Sequence, residues 1–198
     1  MQKAVFLDRD GIIIELPKDN VAYGFTYRKE DCHVISDVKE TLAAFKEKGY
    51  LSIVITNQPC IAQGLVGWEE MEEVHTHINR ELGGLIDGFY TCPHHPEMHP
   101  DVPEHAKRYR IACDCRKPAP GLIFEAVRDF DIDTKQSWMV GDMVTDAFAG
   151  SAAGCKTILV KSSASERLII SNQTIPHNFL PDYTVPSLQE AAKIILKP

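Results

Sequence analysis

Two aspartates one residue apart, Asp8 and Asp10, close the apolar run Ala4-Val5-Phe6-Leu7 and are followed by Gly11. Residues i and i+2 of an extended chain share a face, so both carboxylates can enter one pocket. Neighbouring carboxylates repel unless a cation or a shared proton intervenes. The pattern points to a hard metal ion with oxygen ligands and one carboxylate left free as a nucleophile. Alone, Asp8-Arg9-Asp10-Gly11 reads equally well as an acidic turn at a strand end.

Further groups of the right chemistry follow other apolar runs. Thr56-Asn57-Gln58 ends the β-branched run 51–55, and Gly141-Asp142 ends the run 137–140, with Asp146 four residues on. Lys117 lies within Cys115-Arg116-Lys117-Pro118. If the reaction is phosphoryl transfer, each has a task. Asp8, Asp142 and a backbone carbonyl near Asp10 supply oxygen ligands for Mg²⁺. Thr56 and nearby backbone amides supply donors, and Lys117 a positive charge, for the equatorial phosphoryl oxygens. Arg116 can take a second anionic group bidentately. Asp146 is placed to orient the metal or Lys117, or is simply an acid at a helix N-terminus. Taken singly, Thr56 also reads as a strand-end cap and Lys117 as a solvated surface lysine.

The elements that must position these groups alternate between strand and helix. Strands are expected at 3–8, 51–55, 89–91, 137–140 and 157–160. Ser36 can N-cap a helix carrying Val38, Leu42 and Phe45 inward and stopped by Gly49. A second helix spans 68–82, with Met71, Val74, Ile78 and Leu82 on one face. Pro120 suits the first turn of a third helix, a small-residue helix follows over 144–153, and Ser187 with Glu190 has capping-box spacing for the last. Such alternation predicts an α/β fold with a central parallel sheet between two helical layers. Ligands of such sheets bind beyond the carboxyl ends of the strands, where Asp8, Asp10, Thr56, Asn57 and Asp142 all fall. Residues 15–35 and 93–119 resist assignment, and 162–182 reads as a surface loop.

The chain has 198 residues, enough for one well-buried domain, expected over 1–198. A formal charge of −7 argues against a nucleic-acid surface but not against a small anionic substrate. No apolar stretch approaches the ~20 residues that cross a bilayer, and the N-terminus enters a strand without a secretory pattern. A cytoplasmic protein is expected, which makes the six cysteines candidates for metal binding rather than disulfides. Cys92-Pro93-His94-His95-Pro96 precedes a loop closed by Cys113-Asp114-Cys115. One Cys-x-His pair and one Cys-x-Cys pair give four N/S ligands for a closed, structural Zn²⁺ that would pin the loop 92–115 and place Arg116 and Lys117. His95 and His99 are also within reach. Cys32, Cys60 and Cys155 have no partner pattern, and His75 and His77, two apart on a helix, point to different faces.

The order D-x-D-G, strand ending in Thr, Lys and G-D-x-x-x-D resembles the haloacid dehalogenase superfamily of aspartate-nucleophile phosphatases. The resemblance implies a Rossmann-like three-layer α/β/α fold. It makes Asp8 the nucleophile of an aspartyl-phosphate and Asp10 the general acid that then serves as base. Thr56 and Lys117 would hold the phosphoryl group, and Asp142 would complete the Mg²⁺ site.

The set F-L-D-R-D-G, T-N-Q, C-P-H-H-P and C-x-C-R-K-P-x-P-G, over roughly residues 4–160, is similar to the D-glycero-D-manno-heptose 1,7-bisphosphate phosphatases and their histidinol-phosphate phosphatase relatives. This narrower resemblance implies hydrolysis of the 7-phosphate in the biosynthesis of nucleotide-activated heptose for lipopolysaccharide. It also implies no large cap domain, His94 as the zinc histidine, and Asn57, Gln58 and Arg116 at the substrate. The expected partner is a small phosphorylated sugar, with no nucleic acid or membrane, and the expected state is a monomer. Departures fall in the loop after Thr56, where the family commonly reads T-N-Q-S-G-I-A-R-G and this chain has Pro59, Cys60 and Gln63. Met143 and residues 15–31 also differ, and all bear on the substrate rather than the chemistry. A histidinol-phosphate or other small sugar-phosphate phosphatase is the alternative within enzymes. A non-catalytic phospho-ligand-binding module is the alternative outside them, and it has no need of both Asp8 and Asp10.

Overall fold

The computed structural model describes residues 1–16, 25–96, 101–161, 175–176 and 178–197. Six parallel strands form one sheet: β1 (Lys3–Leu7), β2 (Tyr50–Asn57), β3 (Gly88–Cys92), β4 (Trp138–Gly141), β5 (Lys156–Val160) and β6 (Tyr183–Val185). Their order is β3-β2-β1-β4-β5-β6. The chain builds outward from β1 on one side, then crosses to lay β4 on the other. β1 is therefore the switch point, and the crevice beyond its carboxyl end is where such sheets bind ligands.

Strand alternation splits the core into two layers. Val5 and Leu7 of β1 join Val54, Val140 and Ile158 beneath α1 (Val38–Glu47), α2 (Trp68–Glu81) and α5 (Leu188–Ile195). Ala4 and Phe6 face the other way, with Ile53, Ile55 and Met139, against α3 (Gly121–Phe130) and α4 (Val144–Ala152). All these strand residues are at most 1% exposed, the burial expected of parallel strands covered on both faces. The three-layer α/β/α arrangement thus follows from the apolar runs and their period. No helix among the described residues is long and apolar enough to cross a membrane.

Local differences from the sequence expectation have simple causes. α1 begins at Val38 behind Asp37, with no side-chain cap, so Ser36 does not serve as the cap. Pro120 precedes α3 as its cap residue rather than lying in its first turn. Ser187 does cap α5, its Oγ accepting from Glu190 N at 3.2 Å. β6 was not anticipated: its three residues pair with β5 at the sheet edge, and two of them are exposed, so they carry little apolar signal. His99 and much of 162–182 lie outside the described residues.

Candidate active site

β1 delivers Asp8 level with its neighbours. Leu7 pairs with Val54 of β2 and Val140 of β4, and Asp8 N donates to Val140 O at 3.0 Å. The chain then turns tightly, with Ile13 N and Ile14 N donating to Arg9 O and Gly11 N to Ile14 O. Gly11 sits at φ +83°, and a Cβ there would meet Asp142 Oδ2 at 2.6 Å. Only glycine lets the turn close while Asp142 approaches from β4. Gly141 serves the same purpose from the other side, since a Cβ on it would collide with Asp146 at 2.3 Å.

Asp8, Asp142 and Asp146 are buried with carboxylate oxygens within 4.8 Å of one another. Lys117, 3% exposed, reaches two of them: its Nζ lies 2.8 Å from Asp8 Oδ1 and 2.7 Å from Asp146 Oδ1. It also donates to Ile55 O at 2.8 Å. Burial alone would depress its ammonium, but Asp146 and Asp8 outweigh burial and hold its pKa above the ordinary value. Burial pushes the Asp146 carboxyl up to about 6 against the pull of Lys117. Among the described residues, three clustered carboxylates against the Lys117 ammonium leave two negative charges in a buried pocket, an arrangement that calls for a divalent cation. An all-oxygen donor set suits Mg²⁺.

Beside this cluster Asp10 is held at both oxygens. Oδ1 accepts from Thr26 N at 2.8 Å and Arg9 Nη2 at 3.2 Å; Oδ2 accepts from Gln58 Nε2 at 2.8 Å and Arg9 Nε at 3.1 Å. Burial raises its pKa, Arg9 opposes that, and Asp8 adds to it. Gln58 donates from the same nitrogen to Thr56 Oγ1 at 2.8 Å. Thr56 and Gln58, two apart, thus turn to the Asp10 side. Gln58 is fully buried, so it places Asp10 and Thr56 rather than lying open to a substrate.

Asn57 turns the opposite way, its amide engaged in both directions with the Lys117 backbone. Arg116 is drawn toward the cysteine loop, where Nη1 donates to His94 O at 3.2 Å.

In that loop Cys92, His94, Cys113 and Cys115 converge, their ligand atoms within 4.8 Å of one another. Cys92 Sγ is 3.6 Å from Cys113 Sγ and 3.2 Å from Cys115 Sγ, and His94 Nδ1 is 3.2 Å from Cys115 Sγ. Tetrahedral zinc with bonds of about 2.3 Å requires ligand separations of roughly 3.8 Å, so the four atoms fit that ion with slight expansion. His95 is not in the cluster; its backbone N donates to Tyr109 O.

Two participants escape sequence reasoning. Arg9, fully buried, and His75 of α2, 3% exposed, lie behind Asp10. Arg9 reads in sequence as a spacer between two acids, and no local pattern signals its contact with a helix more than sixty residues away.

A family model described as HAD-hydrolase-like matches residues 114–191. The chain is 36% identical over 166 residues to D-glycero-beta-D-manno-heptose-1,7-bisphosphate 7-phosphatase of Haemophilus ducreyi, covering 81% of this chain and 84% of that one. It is 34% identical over 191 residues to D-glycero-alpha-D-manno-heptose-1,7-bisphosphate 7-phosphatase of Burkholderia mallei, covering 93% and 95%. Among solved structures, D,D-heptose 1,7-bisphosphate phosphatase from B. bronchiseptica, complexed with magnesium and phosphate, superimposes with a TM-score of 0.75 at 25% identity, covering 98% of both chains. The fold, the cluster of acids at its switch point and these similarities agree: the chain belongs to the haloacid dehalogenase phosphatases, in the branch of the heptose 1,7-bisphosphate 7-phosphatases.

Proposed function

We propose that this protein is a Mg²⁺-dependent phosphatase that removes the 7-phosphate of D-glycero-D-manno-heptose 1,7-bisphosphate through an aspartyl-phosphate on Asp8. The observation that carries the chemistry is the placement of the Lys117 ammonium between Asp8 and Asp146, in a cluster that Asp142 completes, with Asp10 on the adjoining turn. The relatives' activities support the substrate.

Asp8, Asp142 and the Asp10 carbonyl would hold Mg²⁺, with Asp146 beside them; the ion neutralises charge on the phosphoryl oxygens when bound. Lys117 and Thr56 hold the transferring group. A carboxylate oxygen of Asp8 attacks phosphorus, the bond to the sugar oxygen breaks, and Asp10 gives its proton to the departing alkoxide. Water then attacks the phosphorus of the aspartyl-phosphate, yielding its proton to Asp10, and the bond to Asp8 breaks to release phosphate. Lys117 stays charged throughout, and its tether to Asn57 fixes its approach.

Cys92, His94, Cys113 and Cys115 would hold a structural zinc with no open position, locking the loop from which Arg116 reaches the sugar's second phosphate. Among the described residues the five α-helices and six strands form the layers of one sheet, which supports reading 1–198 as one domain without a large cap. None of the six cysteines is joined in a disulfide, which is compatible with the proposed cytoplasmic location.

Phosphate release measured across both anomers of the heptose bisphosphate, histidinol phosphate and simple hexose phosphates tests this reading. The heptose bisphosphate is expected to exceed the others in kcat/KM by at least about a hundredfold, the scale on which polar contacts discriminate. Equal or faster turnover of histidinol phosphate would overturn the assigned substrate.

A further inference from the structure

The Arg9 guanidinium is 0% exposed, and an ion removed from water is costly unless its partners match it. Here they do. Nε and Nη2 grip Asp10, Nη2 also reaches Thr26 O, and Nη1 lies 3.1 Å from Met71 Sδ and 3.2 Å from His75 Nε2. Arginine only donates, so His75 Nε2 accepts and the imidazole is neutral with its proton on Nδ1. Burial and the facing guanidinium hold its pKa down at about 3. The ring is fixed in turn by stacking on Phe89, centroids 4.6 Å apart and planes at 11°.

Stability alone does not explain this assembly. Replacing a buried ion pair by apolar side chains of similar volume is often neutral or stabilising. What the charge supplies is direction. The fork fixes the plane of the Asp10 carboxylate, and its outer end is bolted to α2 and to the backbone at Thr26. The four lone-pair directions of Asp10 are all occupied, so proton transfer requires one donor to yield. Gln58 is the neutral one among the side-chain donors, and Arg9 is anchored elsewhere at three points.

We propose that Arg9, braced by His75, is a positioning residue that aims the Asp10 carboxyl at the leaving group and at the attacking water. The proposal rests on the acid/base reading of Asp10. It extends the active site into α2.

The test separates proton transfer from the rest of catalysis by leaving group. p-Nitrophenolate departs without protonation, whereas a sugar alkoxide does not, and breakdown of the phospho-enzyme needs the base in either case. In stopped-flow turnover of p-nitrophenyl phosphate, Arg9→Met is expected to release a burst of about one p-nitrophenolate per folded chain, at a rate within about threefold of wild type. Steady turnover should then be slower by about a hundredfold, the cost of a misaimed catalytic group. With glucose 6-phosphate, kcat should fall by a similar factor with KM changed less than about threefold. Arg9→Lys, which keeps the charge without the fork, should recover about tenfold of that loss.

Should Arg9→Met not fold, His75→Leu and His75→Gln serve. The glutamine retains an acceptor and is expected to turn over glucose 6-phosphate about tenfold faster than the leucine, at equal burst amplitude. Equal loss of burst and steady rate in the Arg9 variants, or identical kinetics in the two His75 variants, would overturn the proposal. Asp10→Asn distinguishes the underlying reading. If it shows the burst and the Arg9 variants do not, Asp10 is the acid/base and Arg9 does not aim it. If Asp10→Asn itself shows no dependence on leaving group, the acid/base reading falls and the proposal with it.

Discussion

Asn57 grips the backbone of Lys117 from sixty residues away, its Oδ1 accepting from Lys117 N at 3.0 Å and its Nδ2 donating to Lys117 O at 3.1 Å. The end of β2 is thereby fastened to the loop that follows the cysteine cluster. The Lys117 ammonium, which faces Asp8 and Asp146, takes its position from this tether.

Asn57→Ala should therefore act on rate before binding. With the tether gone, kcat is expected to fall by about 10- to 100-fold, as for a misplaced charge-bearing group. Two lost hydrogen bonds should cost about 1–2 kcal/mol of stability. Steady-state kinetics beside a urea titration checks both. A change confined to KM would instead place Asn57 at the substrate.

Gly11→Ala forces a side chain into the left-handed region and against Asp142. The backbone penalty is about 1–2 kcal/mol. The displaced carboxylate should weaken Mg²⁺ binding by at least about tenfold, the usual effect of disturbing the groups around a metal ligand. The Mg²⁺ concentration for half-maximal activity reads this directly, and an unchanged value would remove Asp142 from the metal site.

His75 links stability to acid. Its folded pKa, about 3, lies below its ordinary 6.5, so between these values the unfolded chain binds the extra proton. Stability from this group is complete above 6.5 and is lost as pH falls toward 3, by up to about 1.4 kcal/mol per pH unit. His75→Gln should flatten that slope in urea titrations from pH 7 to pH 4. An unchanged slope would mean that the ring accepts a proton in the folded protein.

Cys113→Ser should reduce bound zinc from about one per chain and lower the melting temperature, because a structural zinc contributes directly to folding. Activity should fall too, since Arg116 is held through His94 O in the same loop. Elemental analysis with a thermal melt tests this. Equal zinc and equal activity would dissolve the structural role.

The layered fold was legible because each buried strand is a short apolar run and each helix shows a periodic apolar face. The rim of acids was legible because the strands end on them. β6 was not, since Tyr183 and Thr184 are exposed at a sheet edge and resemble loop residues. The separate duties of Asn57 and Gln58 were implicit in strand alternation, but which face meets Lys117 and which meets Asp10 depends on the loops packed there. Arg9 was opaque for a different reason. Between two aspartates it looks like a solvated charge, and only the approach of Met71 and His75 reveals a buried one.

If Asp8 is the nucleophile, it carries the phosphoryl group between the two half-reactions. Wild type and Asp8→Asn can be mixed with heptose 1,7-bisphosphate labelled at the 7-phosphate, quenched in acid within one turnover, and mapped by peptide mass spectrometry. A transient acyl phosphate on Asp8 is expected in wild type and none in the variant, with a loss of phosphate release of at least about a thousandfold. Label on another residue, or Mg²⁺-dependent release by Asp8→Asn within about tenfold of wild type, would contradict it.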